Sequence, residues 1–176
     1  MTRLSLTEDQ WTERQRQAAD AIRSGPRGTV RGPFLTLLHS PDVAERIQHL
    51  GEGLRFKGEL AESVRETAIL VTAQAWKAEY EWKMHKKLAL EAGLTPDIVD
   101  LIEAERPIPP SVELGAVIDF CRELHATHRV SDEVYRRAEN ALGRSGVVEL
   151  IALCGYYAMI AMVLNVADIS APVDAA

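Results

Sequence analysis

Apolar residues recur along this chain three or four positions apart, which is the spacing of amphipathic α-helices. The clearest stretch runs from Glu59 to Ala92, where the apolar periodicity is interrupted only at 76–78. No segment of four to eight residues alternates between apolar and polar positions with turn signals at both ends, the pattern of a half-buried strand. The pattern therefore predicts an all-α fold of six to eight helices.

Capping residues and Gly/Pro breaks set the expected helix boundaries. The first helix is expected to begin at Ser5 or Thr7, with Glu8 and Gln10 as capping-box partners, and to run to about Arg23. Later segments are expected as a short helix or turn at 31–39 and as helices at about 41–56, 59–76, 78–92, 96–104, 112–127, 132–142 and 146–166.

Four boundaries have a specific residue signal. Pro41 and Pro96 suit the first position of a helix, and Gly93 suits the end of the preceding one, with Thr95 as the next N-cap. Ser111 and Ser131 are the expected N-caps of the helices over 112–127 and 132–142. A break at 143–146 is expected to separate the last two helices.

The last of these helices is also the most apolar. Residues 146–167 read GVVELIALCGYYAMIAMVLNVA, which is long enough to cross a membrane. Glu149, Asn165 and two tyrosines lie within the segment, and one flank lacks Lys or Arg. We therefore interpret it as a helix buried on nearly all sides, in the core or in an oligomer interface.

Composition is that of one globular domain. The 176 residues, 47% of them hydrophobic, are enough for one core, so residues 1–176 are expected to form a single domain.

A net charge of −6 gives no electrostatic footprint for nucleic acid, and 1–20 contain no apolar run of signal-peptide length. We expect no nucleic-acid or membrane partner, a cytoplasmic location, and buried free thiols at Cys121 and Cys154.

Candidate chemistry is concentrated between Glu66 and His85. Glu81 and His85 are four residues apart on one helix, so their side chains share a face. A carboxylate beside an imidazole favours the charged ring and orients it, which is an acid/base arrangement. Glu66 lies in an apolar run, and a carboxyl group drawn toward a core suits a general acid. The alternative is a solvated helix face, on which Glu81 and His85 form a surface pair and Tyr80 and Trp82 only pack.

A metal site is another alternative, because two carboxylates and a histidine are a known type of ligand set. No second histidine lies near His85 in the sequence. His125 and His128 are three residues apart, but they lie near a helix end, where basic groups suit the helix dipole. We therefore expect neither a metal nor a cofactor.

The stretch from Glu66 to His85 resembles the carboxymuconolactone decarboxylase family, which includes the AhpD-like alkylhydroperoxidases. The AhpD-like pattern is a Glu, then about eleven residues, then Cys-x-x-Cys with a His four residues after the second Cys. Glu66 falls on the Glu position, Ala78 and Glu81 on the two Cys positions, Tyr80 on an aromatic position and His85 on the His position.

Further segments extend the resemblance over about 31–168 and leave 1–24 as an N-terminal helical extension. They are GPFLTLLHSPDVA at 32–44, ALEAGL at 89–94 and GYYAMIAMVLN at 155–165. The resemblance implies an AhpD-like helical bundle that acts on a small molecule as a homo-oligomer, either a trimer or a hexamer.

The two missing cysteines change the activity that the resemblance implies. A dithiol peroxidase needs one thiolate to attack and a second thiol to resolve the intermediate, and neither Cys position holds a Cys. The remaining Glu66, Tyr80, Glu81 and His85 are an acid/base set, as in the decarboxylase branch. The implied activity is cofactor-independent decarboxylation or proton transfer on a small cyclic carboxylic acid or lactone.

In that activity His85 is expected to exchange a proton with the reacting carbon, while Glu81 orients the ring. Glu66 is expected to act as a second proton-handling carboxyl group and Tyr80 as a hydrogen-bond donor. A carboxylate substrate also needs a cation, and Arg31, Arg65 and Lys83 are equal candidates by sequence. The alternative function is a catalytically degenerate family member that serves as a binding or assembly protein and is indifferent to substitution at His85.

Overall fold

The computed structural model describes residues 3–109 and 112–171. Over these residues the secondary structure is helical throughout, without a strand, so the all-α prediction is confirmed. The α-helices are α1 (Glu13–Ser24), α2 (Pro33–Leu37), α3 (Pro41–Glu52), α4 (Glu62–Ala75), α5 (Glu79–Glu91), α6 (Pro96–Glu103), α7 (Gly115–Thr127) and α8 (Asp132–Ala167). A short 3₁₀ turn, Glu8–Gln10, precedes α1, and a π-helical turn, Gly53–Lys57, follows α3.

The described helices pack into two compact units. One unit comprises the described part of Met1–Gly58 together with Met162–Ser170, and within it α1 and α2 each pack against α3. The other unit comprises the described part of Glu59–Ala161 together with Ala171, and within it α4 packs against α5, α6 and α7. The expected single domain over 1–176 stays a prediction.

Helix α4 is the central helix of the second unit. Its residues from Glu66 to Ala73 are all buried, so α4 has no solvated face over two turns. A helix surrounded on all sides by other helices needs apolar side chains all round, which explains the run AILV at 68–71. Any polar group on this part of α4, Glu66 included, is therefore held inside the protein.

Most predicted boundaries are confirmed. Helices α4 and α5 are separated at Trp76–Ala78, where Lys77 takes a left-handed conformation with φ 51°. Gly93 ends the following segment with φ 98°, and Thr95 and Pro96 begin α6 as expected. The predicted helices over 132–142 and 146–166 form α8, with a non-helical residue at Gly143 (φ 69°, ψ 173°). The predicted N-cap Ser111 lies outside the described residues, and α7 begins at Gly115.

The predicted start of the first helix is wrong. Thr7 and Gln10 do form a capping box, but it closes only the 3₁₀ turn Glu8–Gln10. The α-helix begins one capping box later, where the backbone N–H of Thr12 donates to Gln15 Oε1 at 2.8 Å. Buried residues of α1 are found only from Gln15 onward, and tertiary packing therefore decides between two adjacent capping signals.

Helix α8 is long and apolar enough to cross a membrane by length and composition alone. In this protein 56% of its most apolar 18-residue stretch is buried, as in a core helix of a soluble protein. Val148 and Ile151 are 66% and 49% exposed in the single chain, so the core alone does not bury this helix on all sides, and burial in an oligomer interface stays a prediction.

Candidate active site

The turn at Trp76–Ala78 folds α5 back on α4 and brings Glu66 beside His85. Glu66 Oε2 lies 2.6 Å from His85 Nδ1, although the two residues are 19 positions apart. On the other side of the ring, His85 Nε2 lies 3.1 Å from Glu81 Oε2. All three residues are buried, with Glu66 2%, Glu81 6% and His85 5% exposed. The alternative of a solvated surface pair is therefore wrong.

Each ring nitrogen of His85 thus faces a different carboxylate. A neutral imidazole has one N–H donor, whereas the imidazolium has two and satisfies both carboxylates at once. Burial acts most strongly on the pKa of His85 and lowers it, but hydrogen bonds and charge from Glu66 and Glu81 together outweigh burial. The net effect is a pKa of His85 above its usual value, so the two carboxylates favour the imidazolium form of the ring.

Tyr157 on α8 closes a further side of the His85 ring. The two ring centroids are 5.1 Å apart at an interplanar angle of 86°, an edge-to-face contact. Tyr156 packs edge-to-face on Tyr157 in turn, at 5.2 Å and 78°, and both tyrosines are 4% exposed. Sequence reasoning did not select Tyr157 as a site residue. The available signal was a pair of tyrosines in an otherwise apolar helix.

Arg65 places a cation beside the buried carboxylate of Glu66. Its Nε lies 3.8 Å from Glu66 Oε1, and its side chain is 14% exposed. Nη1 donates to the carbonyl of Leu60 at 3.4 Å, while the buried Nε–H has no hydrogen-bond acceptor among the described residues. Of the other candidates, Arg31 is exposed, and Lys83 forms a surface ion pair with Glu79 at 2.7 Å.

The geometry of the three groups does not suit joint metal ligation. A metal ion bound by His85 takes one ring nitrogen and needs the carboxylates on that same side, whereas Glu66 and Glu81 meet opposite nitrogens. Within residues 3–109 and 112–171, no group of three or more His, Cys, Asp or Glu side chains is arranged to hold a metal ion.

The structure thus brings together three of the four predicted site residues. Tyr80 is buried in the first turn of α5, one residue before Glu81, and its role as a hydrogen-bond donor stays a prediction. A cavity of about 180 Å³ lies beside the start of α5. Its lining includes Ala73, Lys77, Ala78 and Trp82.

Comparison with protein families identifies the segment that carries this site. Residues 41–108 match the carboxymuconolactone decarboxylase family, and this range contains Glu66, Glu81 and His85. The expected resemblance is confirmed. No curated protein matches the chain in sequence.

Solved structures confirm the AhpD-like helical fold. An AhpD-core, peroxidase-related protein from Ralstonia eutropha has a TM-score of 0.77 at 19% identity, covering 99% of this chain and 94% of its own. The debrominase Bmp8, solved with 2,3,4-tribromopyrrole, has a TM-score of 0.75 at 11% identity, covering 98% and 92%. An AhpD-like protein of unknown function from Agrobacterium tumefaciens has a TM-score of 0.69 at 14% identity, covering 82% and 100%.

Proposed function

We propose that this protein, whose residues 41–108 belong to the carboxymuconolactone decarboxylase family, is a cofactor-independent acid/base enzyme acting on a small cyclic carboxylic acid or lactone. The observation that carries the proposal is His85 held between two buried carboxylates, at 2.6 Å and 3.1 Å. Two carboxylates and a histidine that are all buried are costly to maintain unless they perform chemistry. The two positions at which AhpD-like proteins carry cysteines hold Ala78 and Glu81 here. The lack of thiols at these positions favours proton transfer over dithiol chemistry.

The two carboxylates face different nitrogens of the His85 ring and take different roles. Glu66 forms the shorter hydrogen bond, at Nδ1, and thus fixes the ring and stabilises its positive charge, like the carboxylate behind a catalytic histidine. Glu81 faces Nε2 at the longer distance. The sequence suggested Glu81 as the orienting group, whereas the geometry favours Glu66 for that role and Glu81 as the end of the proton relay.

In a decarboxylation, the carbon–carbon bond to the departing carboxylate breaks and its electron pair remains on the substrate as an enolate. The His85 imidazolium gives its Nε2 proton to the carboxylate of Glu81, and Glu81 passes a proton to the enolate carbon. His85 then recovers a proton from water. An isomerisation uses the same relay, with Glu81 first removing a proton from one carbon and then returning it to another.

Arg65 is the residue we assign to the substrate's carboxylate. Its buried Nε–H lacks an acceptor among the described residues and lies next to Glu66, so a substrate carboxylate would satisfy it with a charge-assisted hydrogen bond. Together with the imidazolium, Arg65 balances the charges of Glu66 and Glu81. An anionic substrate therefore adds one negative charge to a site that is otherwise neutral.

The test combines substrate turnover with a direct observation of His85. Small γ-lactone acids are incubated with the full chain in D₂O, and NMR detects deuterium at carbon and released bicarbonate. Glu81→Gln is expected to lower turnover by about 10²–10⁴-fold, the usual contribution of a positioned acid/base group. Glu91→Gln, at an exposed position on the same helix, is the matched control and should leave turnover unchanged.

The same samples give the histidine titration of the wild type and of Glu66→Gln and Glu81→Gln. A His85 titration that shifts in both variants supports one coupled site. The proposal is wrong if His85 titrates like a free imidazole and ignores both substitutions. It is equally wrong if His85→Asn keeps turnover, and a catalytically degenerate binding or assembly protein then becomes the better interpretation.

A further inference from the structure

The chain has two cysteines, and the fold brings them together. Cys121 on α7 and Cys154 on α8 are 33 positions apart, yet their Sγ atoms lie 3.5 Å from each other. Both are free thiols, as the sequence predicted, and both are buried, at 0% and 1% exposed. Their spacing in the chain does not predict this contact. A disulfide requires a sulfur–sulfur distance of about 2.05 Å, so the two atoms need to approach by about 1.5 Å.

Two polar side chains, Thr72 and His125, act on Cys154 of this pair. Thr72 donates its hydroxyl proton to the carbonyl of Ala68 at 2.8 Å, so its oxygen accepts the Nε2–H of His125 at 2.9 Å. His125 follows Cys121 by one turn of α7. A histidine and a hydroxyl beside two thiols are the environment of a reactive cysteine, whereas an inert buried thiol is surrounded by apolar groups.

The two thiols are electrostatically unequal. A hydrogen bond from Cys121 lowers the pKa of Cys154 most, burial opposes this effect, and His125 and Thr72 lower it further, to about 6. The pKa of Cys121 is raised by the same hydrogen bond and by burial. Cys154 is therefore the sulfur that ionises, and Cys121 is the thiol that donates to it.

His125 also connects the pair to a cavity. It is half-buried and lines a cavity of about 370 Å³. The other lining residues include Val71, Gln74, Ile102 and Arg122. His125 thus lines the cavity and also lowers the pKa of Cys154, which places the enclosed thiol close behind the cavity wall.

We propose that Cys121 and Cys154 are a redox-active dithiol that forms an internal disulfide by exchange with a small-molecule disulfide entering this cavity. The Cys154 thiolate attacks one sulfur of R–S–S–R, that bond breaks, and the first RS⁻ leaves and takes a proton from water. Cys121 Sγ then attacks the mixed disulfide at Cys154, and its proton passes through His125 to the second leaving RS⁻. The protein loses two hydrogens, and R–S–S–R is reduced to two R–SH.

This dithiol is distinct from the pair of positions at which AhpD-like proteins carry Cys-x-x-Cys, which are Ala78 and Glu81 here. It also uses none of the groups of the acid/base site at His85. The two proposals therefore stand or fall separately.

The test uses the full chain, native buffer and hydroxyethyl disulfide, with intact mass spectrometry as the readout. The wild type is expected to lose two hydrogens and to form a Cys121–Cys154 disulfide, identified by peptide mapping. Cys121→Ser cannot resolve the mixed disulfide and should accumulate one thiol adduct at Cys154. Cys154→Ser should react at least tenfold more slowly, because its remaining thiol is rarely ionised. Alanine replacements serve if either serine variant fails to fold.

His125 has a matched control one turn further along the chain. His125→Asn is expected to slow disulfide formation about threefold to tenfold, because a group that lowers the pKa of Cys154 is lost. His128→Asn should react like the wild type, because His128 is exposed and asparagine accepts its left-handed backbone (φ 61°). The proposal is overturned if oxidation occurs only at denaturant concentrations that unfold the protein, or if both cysteine variants react alike. Equal rates for the two histidine variants would also overturn it.

Discussion

Glu66 and His85 lie on different helices, and Glu66 Oε2 is 2.6 Å from His85 Nδ1 in the interior of the protein. This contact makes a charged carboxylate and an imidazolium mutually dependent, because each is buried and each is the other's nearest opposite charge. Removing His85 takes away the cation between two buried carboxylates, and removing Glu66 leaves only Glu81 to offset the imidazolium. The functional site and the stability of the fold are therefore coupled through this one contact.

Replacing Glu66 with glutamine tests this coupling. Glu66→Gln keeps the size of the side chain but removes its charge, so the pKa of His85 should fall and the free energy of unfolding should decrease by about 1–3 kcal/mol. Histidine NMR titration and urea denaturation at pH 6 measure the two effects. Glu91→Gln on the surface of α5 is the control and should change neither.

The raised pKa of His85 also predicts how stability depends on pH. The imidazolium is stabilised in the folded state, so its contribution is fully present below the unfolded pKa of about 6.5. The contribution disappears as pH rises through the higher folded pKa. Wild-type stability relative to His85→Asn should therefore decrease between neutral and alkaline pH, as measured by urea denaturation.

Stability is compared between the wild type and His85→Asn because Cys154 titrates in the same pH range and changes stability in the opposite direction. Its pKa is lowered to about 6, so its contribution is lost as pH falls and is present at alkaline pH. Subtracting the His85→Asn profile removes the Cys154 contribution. A difference that does not change with pH would contradict an imidazolium at His85.

Local signals in the sequence predicted most of the fold. Pro96 and Gly93 act through their own backbone geometry, so their effect does not depend on distant residues. The first helix was placed too early because Thr7 and Thr12 each begin a capping box, and only packing decides which one starts the helix. Boundary prediction fails where two local signals are equally good.

The site was predictable only where it lies on one helix. Glu81 and His85 are four residues apart, so helical periodicity alone places them together. The contact between Glu66 and His85 depends on how α5 folds back on α4, and the contact of Tyr157 depends on how α8 packs. The family resemblance selected Glu66 as a site residue. The contact of its carboxylate with Nδ1 of His85 could be found only from the folded structure.

Arg65 is expected to contribute to substrate binding. Arg65→Gln should raise KM about tenfold or more for a cyclic substrate with a free carboxylate, because a charge-assisted hydrogen bond is lost. The corresponding methyl ester has no carboxylate to bind and cannot be decarboxylated, so it is tested as a competitive inhibitor, and its inhibition constant should be the same for Arg65→Gln and the wild type. Steady-state kinetics with both compounds separate a loss of carboxylate binding from a general loss of affinity. Lys83→Gln, which removes an exposed cation of α5, is the control. Equal effects of the two variants would contradict this role for Arg65.

Self-association is the remaining expectation of the family resemblance, and α8 offers a surface for it. Val148 and Ile151 are 66% and 49% exposed and lie about one turn apart, so they present apolar area to solvent on the same side of α8. We expect this area to be buried between copies of the chain, in a trimer or a hexamer. The double substitution Val148→Glu and Ile151→Glu should then yield monomers in analytical ultracentrifugation, with the helical content unchanged by circular dichroism.

Asn140→Glu is the control for added charge, because Asn140 is exposed and lies on the same helix. This variant should keep the wild-type sedimentation coefficient. Burying an unpaired carboxylate in an apolar contact is strongly unfavourable, whereas a carboxylate on an open surface costs little, so only the substitution inside an interface should dissociate the assembly. A wild type that sediments as a monomer at micromolar concentration would contradict the oligomer. A double variant that stays assembled would instead place the interface on another surface.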